Sequence, residues 1–151
     1  GKIVVAGYNG SGNIGVARLN ADGTMDSGFG SGGITITDFG GSDDRAYDLA
    51  VASDGKILVG GYTNTAGNYD FAVARYTSAG VLDSGFSSDG EATVDVRGSN
   101  RDDYAYSIAI AGNGNVVLAG KSRTNNSGSR HEWAVAQFVS STGPPGSIAM
   151  A

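Results

Sequence analysis

Three observations predict an all-β chain assembled from a repeated four-stranded unit. A seven-residue segment returns twice, short apolar runs alternate with polar turns, and 26 glycines in 151 residues supply the punctuation. The recurring segment is GKIVVAG at 1–7, GKILVGG at 55–61 and GNVVLAG at 114–120, so units start at 1, 55 and 114. The rest keeps register. GVARL (15–19) returns as AVARY (72–76) and AVAQF (134–138), MDSGF (25–29) as LDSGF (82–86), and AYDLAVASDG (46–55) as AYSIAIAGNG (105–114). Each unit therefore solves the same packing problem.

The strands follow in order from the most complete unit. The first, AYDLAVAS (46–53), meets the second, KILVGGY (56–62), through Asp54-Gly55, and its counterpart does so through Asn113-Gly114. These dipeptides predict a two-residue type I′ turn, whose central positions both need positive φ; Gly55 and Gly114 anchor it. The LAVA and ILVGG runs are apolar on both faces, which predicts sheets covered on both sides. The third strand, DFAVARY (70–76), carries Arg75, equivalent to Arg18, and a mid-strand cation in a stacked sheet needs a carboxylate. Asp26, Asp83, Asp38 and Asp95 are the candidates, and Gln137 stands at the third equivalent position. In the DSGF turn, Asp26 and Asp83 are expected to accept backbone amides while Phe29 and Phe86 pack beneath. The fourth strand is EATVDV (91–96). Four antiparallel strands per unit of this length predict β-propeller blades, with a stacked β-solenoid as the lesser alternative.

GKIVVAGY, VARLNADGTMDSGFGSGG, ITDFGGSDDRAYDLAVASDGK and LDSGF resemble the bacterial delta-60 repeat over about residues 1–139. AYDLAVASDGKILVGGY is also similar to the inner hairpin of NHL-type blades. The resemblance implies a propeller-type repeat of secreted or surface-exposed bacterial proteins, hence an extracellular or cell-surface setting, and it brings no catalytic residues. It also implies that AYDLAVAS is the innermost strand. The chain then opens on the second strand of one blade and closes on the third of another: ten strands, about two and a half blades, an incomplete ring. Closed propellers use about four to eight blades. The expected partners are further blades of a parent chain or copies of the chain itself in a homo-oligomer, and the strand-like Gly1-Lys2-Ile3 start suggests excision from something longer. Beyond the 1–139 propeller segment, 140–151 is a Pro/Gly-containing tail. Pro144-Pro145 break any ladder there, and residues 147–151 either add a short strand to a neighbouring chain's edge or remain a disordered remnant.

Composition excludes several chemistries. A net charge of −5 with 17% charged residues argues against a nucleic-acid footprint, and no apolar run reaches the roughly 20 residues of a membrane helix. There is no Cys, and His131 is the lone His, so neither Cys-based nor His-cluster metal sites can form within one chain. Gly10-Ser11-Gly12-Asn13-Ile14-Gly15 spells GxGxxG, but the strand GVARL follows where a dinucleotide loop needs a helix. Asp22, Asp26 and the Asp43-Asp44 and Asp102-Asp103 pairs invite calcium, yet their spacing is not that of an EF-hand loop. No metal, cofactor or catalytic residue is therefore expected, and no GxSxG elbow is present.

Recognition remains. The loop between second and third strands lengthens from YNGSGN to YTNTAGNYD to KSRTNNSGSRHE, placing Tyr62, Asn64, Arg123, Arg130 and His131 as candidate ligand or partner contacts. Trp133 aligns with Phe71 and is expected in blade packing. The function expected is a non-enzymatic scaffold or adhesion module, completed by further blades or by self-assembly. The alternative is a lectin-like module that binds glycans through the loop from Tyr62 to Asp70.

Overall fold

The computed structural model describes residues 1–65, 67–98, 101–124 and 130–139, with the backbone of 148–149. Among these, eleven strands form three separate antiparallel sheets and no helix appears. The first sheet holds β1 (Ile3–Tyr8), β2 (Ile14–Leu19) and β3 (Ile34–Thr37). The second is a meander of β4 (Arg45–Val51), β5 (Ile57–Thr63), β6 (Asp70–Tyr76) and β7 (Glu91–Val94). The third holds β8 (Asp103–Ile110), β9 (Val116–Arg123), β10 (His131–Phe138) and β11 (Ile148–Ala149). This is an unclosed array of β-propeller blades. The third sheet departs from expectation: Ile148 and Ala149 pair with Ala136 and Val135 of their own chain, supplying a fourth strand instead of joining a neighbour. The rest of 140–151 lies outside the described residues.

The blades stack through alternate side chains, as strand period dictates. All of β5 is buried. Its Ile57 and Val59 join Ile14, Val16 and Phe29 of the first blade, whereas Leu58 joins Phe71 and Val73 against Ile108, Leu118 and Ala136 of the third. The two joints reuse equivalent positions, Ile14 and Phe71 among them. Each fully buried aliphatic or aromatic side chain contributes about 1.5–3 kcal/mol, so the joints hold the blades in sequence. The inner strands converge as well. Asp48 of β4 accepts hydrogen bonds from the Ser107 hydroxyl and the Ile108 amide of β8, both at 3.0 Å.

The hairpin turn differs from the predicted type I′. Gly55 has φ 83° and Gly114 φ 83°, but Asp54 and Asn113 are not among the positive-φ residues. The Gly55 amide donates to Ala52 O at 2.9 Å and the Ala52 amide to Lys56 O at 2.8 Å, a three-residue type I turn closed by a glycine bulge. The physical reason is local. Asp54 Oδ1 accepts the Lys56 amide (3.1 Å), and Asn113 Oδ1 the Asn115 amide (3.1 Å), which the right-handed conformation of Asp54 and Asn113 permits.

Each mid-strand arginine has a partner in the DSGF turn, not in the following strand. Arg18 Nε lies 2.6 Å from Asp26 Oδ2 and Arg75 Nε 2.9 Å from Asp83 Oδ2, leaving Asp38 and Asp95 to other roles. The turn swings back because the Asp26 and Asp83 amides donate to Arg18 O and Arg75 O at 2.9 and 2.8 Å. Asp26 and Asp83 then accept the Gly28 and Gly85 amides, and the guanidinium groups sit 4.8 Å from the Phe29 and Phe86 ring centres. Lys2 and Lys56 add a second cation to each aspartate. Hydrogen bonding from Lys2 holds the Asp26 carboxyl below the usual range. The third unit carries Asn115 and Gln137 where the others have Lys and Arg, in keeping with its lack of a DSGF sequence.

Candidate functional site

β4 and β8 each carry a β-bulge, between Ala46 and Asp48 and between Ala105 and Ser107. The extra residue is a tyrosine in both, and a bulge re-aims the side chain it carries. Tyr47 and Tyr106 consequently meet at 5.3 Å between ring centres in an edge-to-face contact. Tyr62, at the end of β5, stacks on Tyr47 at 5.3 Å, and Tyr69 and Tyr104 contact Tyr62 at 5.2 and 4.9 Å. Five of the seven tyrosines thus form one cluster across two blades. Lys121 Nζ caps it, 5.0 and 5.6 Å from the Tyr104 and Tyr106 rings. Tyr62 is buried, while Tyr47 and Tyr106 are exposed. Burial, with the 3.0 Å hydrogen bond to the Tyr47 hydroxyl, raises the Tyr62 phenol above its ordinary range, and burial pushes Tyr104 up to about 12. Both stay neutral at physiological pH, so the cluster offers aromatic faces and neutral hydroxyls.

Beside it, the paired aspartates have divided roles. The second of each pair, Asp44 or Asp103, is fully buried and ties the blade entry to its surroundings. Asp44 accepts the Phe39 amide (2.8 Å) and the Thr63 hydroxyl; Asp103 accepts the Val96 amide (2.6 Å), with Ser122 in the place of Thr63. The amides of Asp44 and Asp103 reach back to Gly12 O and Tyr69 O of the preceding blade, each at 2.6 Å. The first of each pair meets arginine: Asp43 with Arg45 Nε at 2.8 Å and Asp102 with Arg123 Nη1 at 2.8 Å. At the second joint, carboxylate oxygens of Asp70, Asp95 and Asp103 lie within 4.8 Å of one another. Burial first, then the charges of Asp95 and Asp103, push the Asp70 carboxyl up to about 6.

The residues expected to bind partners divide accordingly. Tyr62 lies inside the cluster, whereas Asn64 serves a turn, its carbonyl accepting the Ser42 amide and its side chain the Gly67 amide. Arg123 is committed to Asp102. Arg130 and His131 are exposed at the start of β10, the Arg130 carbonyl accepting the Thr124 amide at 3.0 Å, and 125–129 lie outside the described residues. Trp133 departs from its expected packing role: it is 78% exposed where its equivalent, Phe71, is 0% exposed, because no described residue covers that face. Sequence reasoning missed Tyr47, Tyr104 and Tyr106, while Tyr69 lies within the Tyr62 to Asp70 loop it offered for glycans. Its available signal was the twice-repeated Ala-Tyr of AYDLA and AYSIA. A cleft of about 570 Å³ is lined in part by Lys56, Arg75 and Asp83, and the Asp83 carboxylate already pairs with both cations.

No curated protein matches this chain. Residues 1–29 and 52–86 match the model of a family described as a domain of unknown function, DUF5122, of β-propeller type. The matched segments cover β1, β2 and the first DSGF turn, then β5, β6 and the second, so the repeat that builds these blades is of β-propeller type.

Proposed function

We propose that this chain is a non-enzymatic scaffold and interaction module of delta-60 type, whose end faces receive further blades of the same repeat. The observation that carries this is the contrast at Trp133, a core-type side chain at a core-equivalent position, left 78% exposed on the open face of the third blade. Native proteins rarely leave such a face in water. The opposite end agrees, since Ile3 and Val5 are 50% and 47% exposed while their equivalents Ile57 and Val59 are buried. The secreted or surface-exposed bacterial setting rests on the sequence resemblance alone.

Trp133 is the only tryptophan, so it reports directly on that face. Light scattering of the chain, alone and joined to added blades, is to be paired with acrylamide quenching of Trp133. Quenching should fall in any assembled form. A Trp133 that stays equally quenchable in every assembly overturns the proposal.

A second function is favoured by the tyrosine cluster. Exposed aromatic faces beside neutral hydroxyls suit the apolar face and hydroxyl rim of a sugar ring, so the cluster is a glycan-binding surface in a lectin-like module. Glycan-array binding that disappears in Tyr47→Ala and Tyr106→Ala supports it. An array without hits counts against it.

A further inference from the structure

We propose that the tyrosine cluster takes an acidic sugar, whose carboxylate pairs with Lys121 while its ring lies against Tyr106. The inference rests on the glycan-binding function proposed above and deepens it by naming the class of sugar.

The charge balance changes from the second blade to the third. In the second, Arg45 pairs across the sheet with Tyr62, and Asp43 takes the guanidinium at 2.8 Å. In the third, cation and tyrosine exchange strands: Tyr104 pairs with Lys121, which stands where the other units carry Tyr8 and Tyr62. Asp102 is the equivalent of Asp43, but Arg123, at the place of Asn64, takes it at 2.8 Å. Two cations therefore face one carboxylate, and Lys121 is left over. Among the described residues no carboxylate lies within ion-pair reach of its ammonium. The remaining carboxylates at the cluster are engaged. Asp43 also accepts the Tyr69 hydroxyl at 3.2 Å, and Asp48 accepts the Leu49 amide and the Ser107 hydroxyl. Ser107 itself stands where the second unit has Asp48, which makes the surface beside Tyr106 less acidic than that beside Tyr47.

The surplus charge sits where a sugar would lie. Lys121 is half-buried, with its Nζ on the Tyr104 and Tyr106 faces, and an ammonium so placed sheds part of its water while keeping N–H donors for an anion. Tyr106, 41% exposed, offers its ring to the apolar side of a pyranose. A pyranose that carries a carboxylate on its rim meets both features with one molecule. One ammonium suits one negative charge. A phosphate ester is better met by the fork of an arginine, and Asp102 beside Tyr104 repels a dianion. This level of the fold also stays open when a blade is added. Tyr8, at the position of Lys121, is 52% exposed although the second blade stands beside it, with Arg45 4.8 Å from its ring centre.

The test is isothermal titration of the full chain with oligogalacturonate, with its methyl ester and with sulfated dextran. The acid should bind roughly tenfold tighter than the ester, which has the same ring without the charge. Lys121→Met should bring the acid down to the level of the ester, and Lys121→Arg should restore most of the preference. Acid and ester bound equally, or a preference that survives Lys121→Met, overturns the proposal. So does sulfated dextran bound as tightly as the acid, since general charge attraction would then suffice, and so does binding of none of the three. If Lys121→Met fails to fold, the comparison of acid with ester on the wild type decides alone. Equal binding of acid and ester that is lost in Tyr106→Ala would leave the glycan-binding function standing while this inference falls.

Discussion

Replacing Asp70 by Asn should stabilise the protein at neutral pH and do almost nothing in acid. Asp70 begins β6 with the Asp95 and Asp103 carboxylates beside it, and Asn68 Nδ2 donates to its Oδ1 at 2.7 Å. Burial and these two charges raise its pKa from 3.8 to about 6. The folded state therefore keeps a proton that the unfolded state releases near pH 4, and stability present below that pH is lost as pH rises through about 6. A carboxyl held at about 6 instead of 3.8 sets a ceiling of ~3 kcal/mol, and partial exposure of the site lowers the expected effect to about 1–2 kcal/mol. Asparagine carries the neutral shape and keeps an oxygen for Asn68; the first unit already has Asn13 at the equivalent position. Urea denaturation followed by circular dichroism at pH 4, 5.5 and 7.5 should find variant and wild type equal at the lowest pH. They should be separated by about 1–2 kcal/mol at the highest. Equal separation at every pH, or a variant weaker at pH 7.5, refutes the reasoning. Calcium titrated into the wild type at pH 7.5 checks whether a divalent ion, not a proton, relieves the repulsion; on the argument above the midpoint does not move.

Arg75→Ala should cost about 2 kcal/mol, below the 3–5 kcal/mol of fully buried pairs because Lys56 still faces Asp83. Burial raises the Asp83 pKa, but the Gly85 amide, Arg75 and Lys56 together outweigh it and leave the pKa lowered, so the pairing is lost as pH falls through the folded-state pKa. The cost of Arg75→Ala in urea melts should therefore shrink in strong acid. Thr63→Val removes the hydroxyl that Asp44 accepts between two fully buried residues, and a loss of about 1–3 kcal/mol is expected in the same assay. Gly55→Ala forces a side chain into φ 83° and should lower stability by roughly 1–2 kcal/mol, with thermal melting as the check.

Sequence periodicity located β4, β5 and β6 to within about two residues because their alternation answers to burial on both faces, which is a property of composition. The Arg–Asp turns were legible for a similar reason: a mid-strand cation demands a carboxylate, and only which one was open. Geometry decided it, since the DSGF turn hydrogen-bonds back onto the arginine's own strand and Asp38 and Asp95 do not. The tyrosine cluster was not legible. Simple alternation sends Tyr47 and Tyr106 to whichever face their neighbours dictate, and the bulges that re-aim them lie against Gly61 and Gly120, where a Cβ would meet the carbonyl oxygens of Arg45 and Tyr104. The turn at Asp54-Gly55 was misjudged because two turn types share that dipeptide. The choice between them rests on one side-chain bond from Asp54 to the Lys56 amide.

Comparing equivalent positions within the chain gives more than the fold, because two of them match in residue type and differ in surroundings. Trp133 occupies the place of Phe71, and Gly7 that of Gly61, yet the neighbours that give Phe71 and Gly61 their purpose have no counterparts among the described residues. An exposed aromatic side chain and an unneeded glycine each lower the stability of the isolated array, the first through wetted apolar surface and the second through backbone entropy. Both departures become favourable in the assembly proposed above, in which a further blade covers each end face. The two demands are also of different kinds, one for an apolar face and one for backbone clearance, and they arise at opposite ends of the array.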